Sequence, residues 1–291
     1  MGEFKTIGII GRESDAVGES LKVLTRFLKK RSVKVLLSEK IASLLPNTQL
    51  PICNRTQLGE SCDLIIVLGG DGSLLGAARM LARHNVPVLG INRGRLGFLT
   101  DILPDELEQN VGNVLDGHYV LDKRFLLNAV VKRGAETIGR AEALNDVVVN
   151  SGTSAQMIEF DLYVDNEFVY RQRSDGLIVS TPTGSTAYSL SGGGPIMHPK
   201  LDAVVLVPMF PHTLSSRPIV IDGNSEIRIE VNGRNAIHPP VTCDGQVIIT
   251  AEPGDTIFIN KKRHKLKLIH PVDHSFYASC RDKLGWGSAL V

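Results

Sequence analysis

A chain of 291 residues is too long for one compact core of ordinary size and fits two domains. Its 32 basic and 31 acidic residues leave a net charge of +1, so no global field draws it to nucleic acid or to an anionic membrane. Hydrophobic content of 43% argues against disorder, and Cys53, Cys62, Cys243 and Cys280 lack CxxC spacing, which argues against a zinc cluster or disulfide framework. Nothing at the N-terminus reads as a signal peptide, and no window approaches ~18 uninterrupted apolar residues, so a cytoplasmic protein is expected.

Residues 6–10 form an apolar run that reads as a buried strand ending at Gly11. Ser14 and Asp15 then cap a helix whose Val17, Leu21, Leu24 and Leu28 share one face, with Lys29, Lys30 and Arg31 where the helix dipole favours cations. Residues 33–37 predict a second strand and residues 38–45 a short helix stopped by Pro46; the stretch through Cys53 shows no regular pattern. Residues 64–68 are again an unbroken apolar run, ending abruptly at Gly69, Gly70, Asp71 and Gly72. From Ser73 onward, Leu74, Leu75, Ala77, Ala78, Met80 and Leu81 give a helix an apolar face. Residues 86–91 predict another strand, and residues 105–115 a helix after Pro104. Strands alternating with helices imply a parallel sheet with its ligand outside the carboxyl ends of the strands.

Strand, glycine loop and helix follow one another at 64–81 without spare residues, which is a phosphate-binding construction. Asp71 is the odd member. A carboxylate beside phosphates is repelled unless it holds a metal ion or takes a hydrogen bond or proton from an attacking hydroxyl, which points to a kinase acting on an alcohol. The competing reading is that Asp71 merely caps the helix. Arg93 and Arg95, in the loop after the next strand, either bind phosphate or are solvated loop charges.

From about Tyr119 the texture changes. Residues 125–132 predict a strand; Ile158, Phe160, Leu162 and Val164 alternate with polar neighbours, and Asp165 with Asn166 makes a hairpin turn. The same pattern recurs around Asp222–Gly223 and Pro253–Gly254, so the second domain is expected to be antiparallel, with further hairpins at these turns. Residues 265–269 are a strand. The large apolar groups Phe276, Tyr277, Leu284 and Trp286 predict a tail that packs on the body or on a neighbouring subunit. The expected organisation is therefore an α/β domain at 1–118, a β-rich domain at 119–270, and a tail at 271–291 returning to the first.

A second cradle lies at residues 174–195, where a strand at 176–180 enters a hydroxyl-rich turn and a short helix; Tyr188 there can stack on a base, and Asp175 can accept from an amine or hydroxyl. Asn145 and Asp146 open another apolar strand, where an acid suits ribose hydroxyls, although such a pair by itself is a turn. Gln246 is a hairpin residue by position. No GxxxxGK followed by Ser or Thr, no GxGxxG after a strand, and no HExxH or GxSxG occurs.

The passages GGDGSLLGAAR (69–79), NRGRLGFLTD (92–101), ALNDVVV (143–149), DGLIVSTPTGSTAYSLSGGGPI (175–196) and FPHTLSSRP (210–218) together resemble the bacterial NAD kinases, in order and over nearly the whole chain. The resemblance implies an N-terminal Rossmann-like α/β domain and a C-terminal sandwich-like β-rich domain in a homodimer or homotetramer. It implies transfer of the γ-phosphoryl of ATP to the adenosine 2′-hydroxyl of NAD, giving NADP, with a divalent cation such as Mg²⁺. Asp71 would then be the base or orienting acceptor, and Gly69, Gly70, Gly72, Arg93 and Arg95 would meet phosphates. Gly72, Asn145, Asp146, Gln156, Arg173, Asp175, Thr186, Ala187, Tyr188, Ser189, Leu190, Ser191 and Gln246 would line the dinucleotide site with Asp71. Asp146 stands where many members carry Glu, a side chain one methylene longer. Two rivals remain: a GGDG-type kinase of a sugar phosphate or lipid, and a regulator that binds NADP(H) without turnover.

Overall fold

The apolar runs of the first third become strands of one parallel sheet, because each is long enough to cross the sheet and too apolar to leave a face in water. The computed structural model describes residues 4–93, 97–153 and 156–286. The chain forms two units, Met1–Lys123 with Lys265–Val291, and Arg124–His264.

In the first unit, β1 (Thr6–Gly11), β2 (Lys34–Ser38), β3 (Ile52–Cys53), β4 (Leu64–Leu68) and β5 (Pro87–Ile91) lie in the order β3-β2-β1-β4-β5. Helices α1 (Asp15–Lys30), α2 (Glu39–Ala42), α3 (Arg55–Ser61), α4 (Asp71–Leu81) and α5 (Leu107–Leu115) connect and flank them. Ser14 accepts from the Val17 N–H at the start of α1, whose Val17, Leu21, Leu24 and Leu28 are fully buried. Strand order reverses between β1 and β4. A crevice at such a switch point, at the carboxyl ends of the strands, is where parallel sheets of this kind bind ligands. Gly11 ends β1 and Gly69 follows β4, the two strands that border it.

In the second unit, β6 (Val120–Arg133), β7 (Glu136–Ala143), β8 (Asp146–Asn150), β9 (Ile158–Val164), β10 (Glu167–Ser174), β11 (Gly176–Ser180), α6 (Tyr188–Ser191), β12 (Ala203–Met209), β13 (Ile219–Asp222), β14 (Ile227–Val231), β15 (Pro240–Cys243) and β16 (Val247–Thr250) follow in turn. One antiparallel sheet has the order β13-β12-β11-β8-β15-β16. In the other, β9 pairs with both β10 and β14, antiparallel throughout. Phe125, Val147, Val149, Phe160, Leu162, Leu177, Val179, Ile229 and Val241 from the two inner faces share one core, so this unit is a β-sandwich. The last strand, β17 (Thr256–His270), pairs with β14 through Ile257 and Ile259 and ends beside β5, where Lys267, Leu268 and Ile269 run parallel to Pro87, Val88 and Leu89. Helix α7 (Phe276–Leu284) also belongs to the first unit; its Cys280 is fully buried, while Tyr277 is 56% exposed and Trp286, just beyond the helix, 45%.

Asp165 and Asn166, at φ 50° and 67°, make the expected hairpin turn between β9 and β10. The turns at Asp222–Gly223 and Pro253–Gly254 do not. β13 pairs with β12 while β14 pairs with β9 and β17, and β16 pairs with β15 while β17 pairs with β14, so both turns carry the chain from one sheet to the other. Turn chemistry fixes where a strand ends; which strand it pairs with is decided by packing of the inner faces.

Candidate active site

The glycine loop lies at the switch point of the first unit. Gly69 has φ 146°, a conformation that a side chain would strain, and a Cβ there would fall 2.5 Å from Ser73 Oγ. Gly70 is the N-cap residue of α4 and makes no side-chain cap bond, so Asp71 is the first helical residue and is not the cap. Its carboxylate turns instead to residues 98–100. Oδ2 accepts from the Phe98 N–H at 2.8 Å, and Oδ1 accepts from the Leu99 N–H at 3.2 Å and from the Thr100 hydroxyl at 2.9 Å. Gly97 is required by this contact, since a Cβ there would sit 1.9 Å from Asp71 Oδ1.

Two arginines stand at the same carboxyl edge. Arg93, just after β5, donates to Ser14 Oγ at 2.9 Å, and Arg12, just after β1, places its Nη2 3.8 Å from where a Gly72 Cβ would be. Arg12 has no sequence signal beyond following a strand that ends in glycine. Arg95 lies outside the described residues.

In the second unit the LND passage is tied down on every backbone group that its turn exposes. Asp244, at φ 53° in the β15–β16 turn, accepts from the Leu144, Asn145 and Asp146 N–H groups at 3.1, 2.7 and 3.4 Å. The Thr181 hydroxyl donates to the Leu144 carbonyl at 2.6 Å, and the Thr181 N–H to the Asn145 carbonyl at 2.9 Å. A Cβ on Gly184 would fall 2.2 Å from that Asn145 carbonyl, so the hydroxyl-rich turn needs glycine there. Asn145 Oδ1 is buried with no hydrogen-bond partner, an orphan acceptor of the kind a ligand satisfies. Asp146 is 4% exposed; burial, and then the nearby Asp244 carboxylate, push its carboxyl up to about 7.

The other sequence-derived candidates divide among neighbouring features of this unit. Tyr188, 44% exposed, and Ser191 line a cavity of about 450 Å³ with Met209 and Phe210. Gln156 and Arg173 line a different one, of about 540 Å³, with Arg234 and Asn235. Ser189 is fully buried and its hydroxyl has no partner; Thr186, Ala187 and Leu190 are partly buried beside it; Gln246 is exposed in the β15–β16 turn. The Asp175 backbone bonds to Met209 and Ser151. Two further residues escaped the sequence reading: Asp244, whose Asp-Gly turn is a recognisable signal, and Arg124, a buried guanidinium that donates to Thr183 Oγ1 at 3.1 Å.

Asp101, His270 and His274 offer metal-ligating atoms within 4.8 Å of one another. The two imidazoles are stacked, with centroids 3.9 Å apart and planes at 15°, so their in-plane lone pairs do not converge on one ion at ~2.0–2.1 Å. Both Nδ1 atoms hydrogen-bond to Asp101 Oδ2 instead, at 2.8 and 2.7 Å.

Two family descriptions cover most of the chain: the ATP-NAD kinase N-terminal domain matches residues 7–119 and the ATP-NAD kinase C-terminal domain residues 144–271. The NAD kinase of Pseudomonas fluorescens is 62% identical over 291 residues, covering 100% of this chain and 98% of the relative. That of Pseudomonas paraeruginosa is 61% identical over the same length, with 99% of the relative covered. Among solved structures, yeast NADH kinase complexed with NADH superimposes with a TM-score of 0.89 at 25% identity, over 100% of this chain and 90% of the other. An NAD kinase from Archaeoglobus fulgidus in complex with ATP gives 0.74 at 26% identity, over 96% and 97%. With both halves matched in order and full-length relatives above 60% identity, this chain belongs to the NAD kinase family.

Proposed function

We propose that this protein is an ATP-dependent NAD kinase, transferring the γ-phosphoryl of ATP to the adenosine-ribose 2′-hydroxyl of NAD to give NADP, with Asp71 as the orienting acceptor or general base. The observation that carries the role of Asp71 is its carboxylate in the first turn of α4, at the switch point, bonded to residues 98–100 rather than capping the helix. Such a group repels phosphate and serves a hydroxyl nucleophile. Oδ2 accepts from Phe98 alone among the described residues and keeps acceptor capacity for that hydroxyl. Asn145, through its orphan Oδ1, and Asp146 hold the dinucleotide, with Gly72, Gln156, Arg173, Asp175, Thr186, Ala187, Tyr188, Ser189, Leu190, Ser191 and Gln246 completing that site. Gly69, Gly70, Arg93 and Arg95 receive the triphosphate, and Arg12 joins them.

Mg²⁺ in kinase sites is held by one or two carboxylates with the substrate's own phosphates, and it neutralises charge on the transferring group. Asp71 Oδ2, the carboxylate oxygen with acceptor capacity left at the glycine loop, is taken by the acceptor hydroxyl in this reading, so the ion would be held mainly by the phosphates of ATP. Among the described residues no helix is long and apolar enough to cross a membrane. A cytoplasmic homodimer or homotetramer completes the reading.

The test mixes purified protein with NAD, ATP and Mg²⁺ and follows NADP with an NADP-specific dehydrogenase, with NADH and fructose 6-phosphate as parallel acceptors. NADP that forms only with ATP is the expected result; saturable dinucleotide binding with no NADP would establish the regulator instead. Asp71→Asn should keep near-normal NAD affinity and lose roughly 10² to 10⁴ in rate. Unchanged turnover in that variant would remove Asp71 from the chemistry.

A further inference from the structure

The hydrogen bonds around Asp71 have a direction, and it can be read from one amide. Asn92 Oδ1 accepts from the Arg93 N–H at 2.6 Å, which fixes the side chain with Nδ2 on the other side. Nδ2 is a donor only, and it lies 3.0 Å from Thr100 Oγ1 and 3.3 Å from the Thr100 carbonyl. Thr100 Oγ1 therefore accepts from Asn92, and its single O–H is left to donate to Asp71 Oδ1 at 2.9 Å. Asn92 is 7% exposed and Thr100 fully buried, so bulk water does not compete for these bonds. A turn closed by the Gly97 N–H on the Thr100 carbonyl, 2.8 Å, holds the Phe98 and Leu99 amides against the same carboxylate.

We propose that Thr100 is a positioning residue for the phosphotransfer: oriented by Asn92, its hydroxyl occupies Asp71 Oδ1 and leaves Oδ2 as the oxygen that meets the acceptor hydroxyl. This rests on the reading of Asp71 given above. Oδ1 receives two donors and Oδ2 one, so the asymmetry of the carboxylate is built by the loop before any substrate arrives. Without the Thr100 bond, Oδ1 and Oδ2 keep one backbone donor each, so the carboxylate loses its asymmetry and can present either oxygen, and a reacting group displaced by an ångström loses rate rather than affinity.

The experiment measures kcat and the KM for NAD in Thr100→Val, which removes the hydroxyl at nearly constant shape, in Thr100→Ser, which restores it, and in Asp71→Asn. The expected result is a kcat lowered about 10- to 100-fold in Thr100→Val with the KM for NAD within about twofold, and recovery of most of the rate in Thr100→Ser. Should Thr100→Val fail to accumulate as folded protein, Asn92→Asp carries the test: it offers Oγ1 an acceptor, draws the hydroxyl away from Asp71, and should lower kcat in the same way. Normal kcat in Thr100→Val while Asp71→Asn is inactive would overturn the positioning role and leave Asp71 in place. Loss shared between kcat and KM, or no recovery with Ser, would reduce Thr100 to a packing residue. Full activity in Asp71→Asn would instead refute the reading on which the inference stands.

Discussion

Asp146 shows how burying one acid beside another costs stability at the scale of one residue. Buried and close to Asp244, it keeps its proton up to about pH 7 in the folded chain, whereas an unfolded aspartate releases it near pH 4. The folded state therefore binds more protons across that window, and stability falls as pH rises from about 4 to about 7, by on the order of 4 kcal/mol. Asp146→Asn removes the titration. Its thermal unfolding midpoint should exceed the parent's at pH 8, and the gap should close as pH approaches 4; in the proposed site its KM for NAD at pH 8 should rise, because the ribose exchanges a carboxylate acceptor for a weaker amide oxygen. Asp71 was legible in the sequence because a carboxylate among phosphate-loop glycines conflicts with its surroundings. Thr100 and Asp244 were not, because a threonine and a turn aspartate conflict with nothing until the fold brings Asp71 or the LND amides to them.

At the scale of elements, long apolar runs translated directly: β1, β4, β5 and α1 are where periodicity places them. Helix α3 did not, although its sequence holds a capping box in which Asn54 accepts from the Gln57 N–H and Gln57 answers the Asn54 N–H. With seven residues it has too few turns for a periodic signal, so its caps were the only sign of it. Tertiary placement also decides the electrostatics of the Asp101 contact, where the residue after Thr100 meets His270 at the end of β17 and His274 before α7. Burial alone would raise the Asp101 carboxyl; the hydrogen bonds and charges of the two histidines outweigh it and hold it at about 2. A depressed folded value stabilises above the unfolded value near 4, and the contribution is lost as pH falls toward 2, by on the order of 2 kcal/mol. His274→Ala should therefore lower the unfolding midpoint at pH 5, with the deficit shrinking to nothing near pH 2. A deficit that persists at pH 2 would assign the effect to lost packing.

At the scale of the whole molecule, the order β3-β2-β1-β4-β5 does not close with the first third of the chain. Its outer position beside β5 is filled by the last residues of β17, and Ile269, 1% exposed, packs with Ile7, Ile9, Leu37, Leu64, Ile66 and Leu89 in the core of the first unit. Residues 265–270 are thus part of that core. Sequence could not reveal this, because the alternating pattern around Pro253–Gly254, which ends at Ile259, and the strand at 265–269 read as separate elements, whereas the polar stretch between them, Asn260–His264, belongs to one continuous strand, Thr256–His270. Truncating a buried isoleucine to alanine costs about 2–5 kcal/mol, a large share of a domain stability of roughly 5–15 kcal/mol. Ile269→Ala should therefore lower the urea midpoint strongly, although it lies almost two hundred residues beyond the glycine loop. Tyr277→Ala, on the exposed side of α7, should change the unfolding free energy by no more than about 0.5 kcal/mol and leave the midpoint nearly in place. Equal effects of the two substitutions would mean that β17 does not complete the first unit; a large effect of Ile269→Ala alone, with the loss of NADP formation following the loss of folded protein, would mean that the sheet carrying the glycine loop needs the end of the chain to stand.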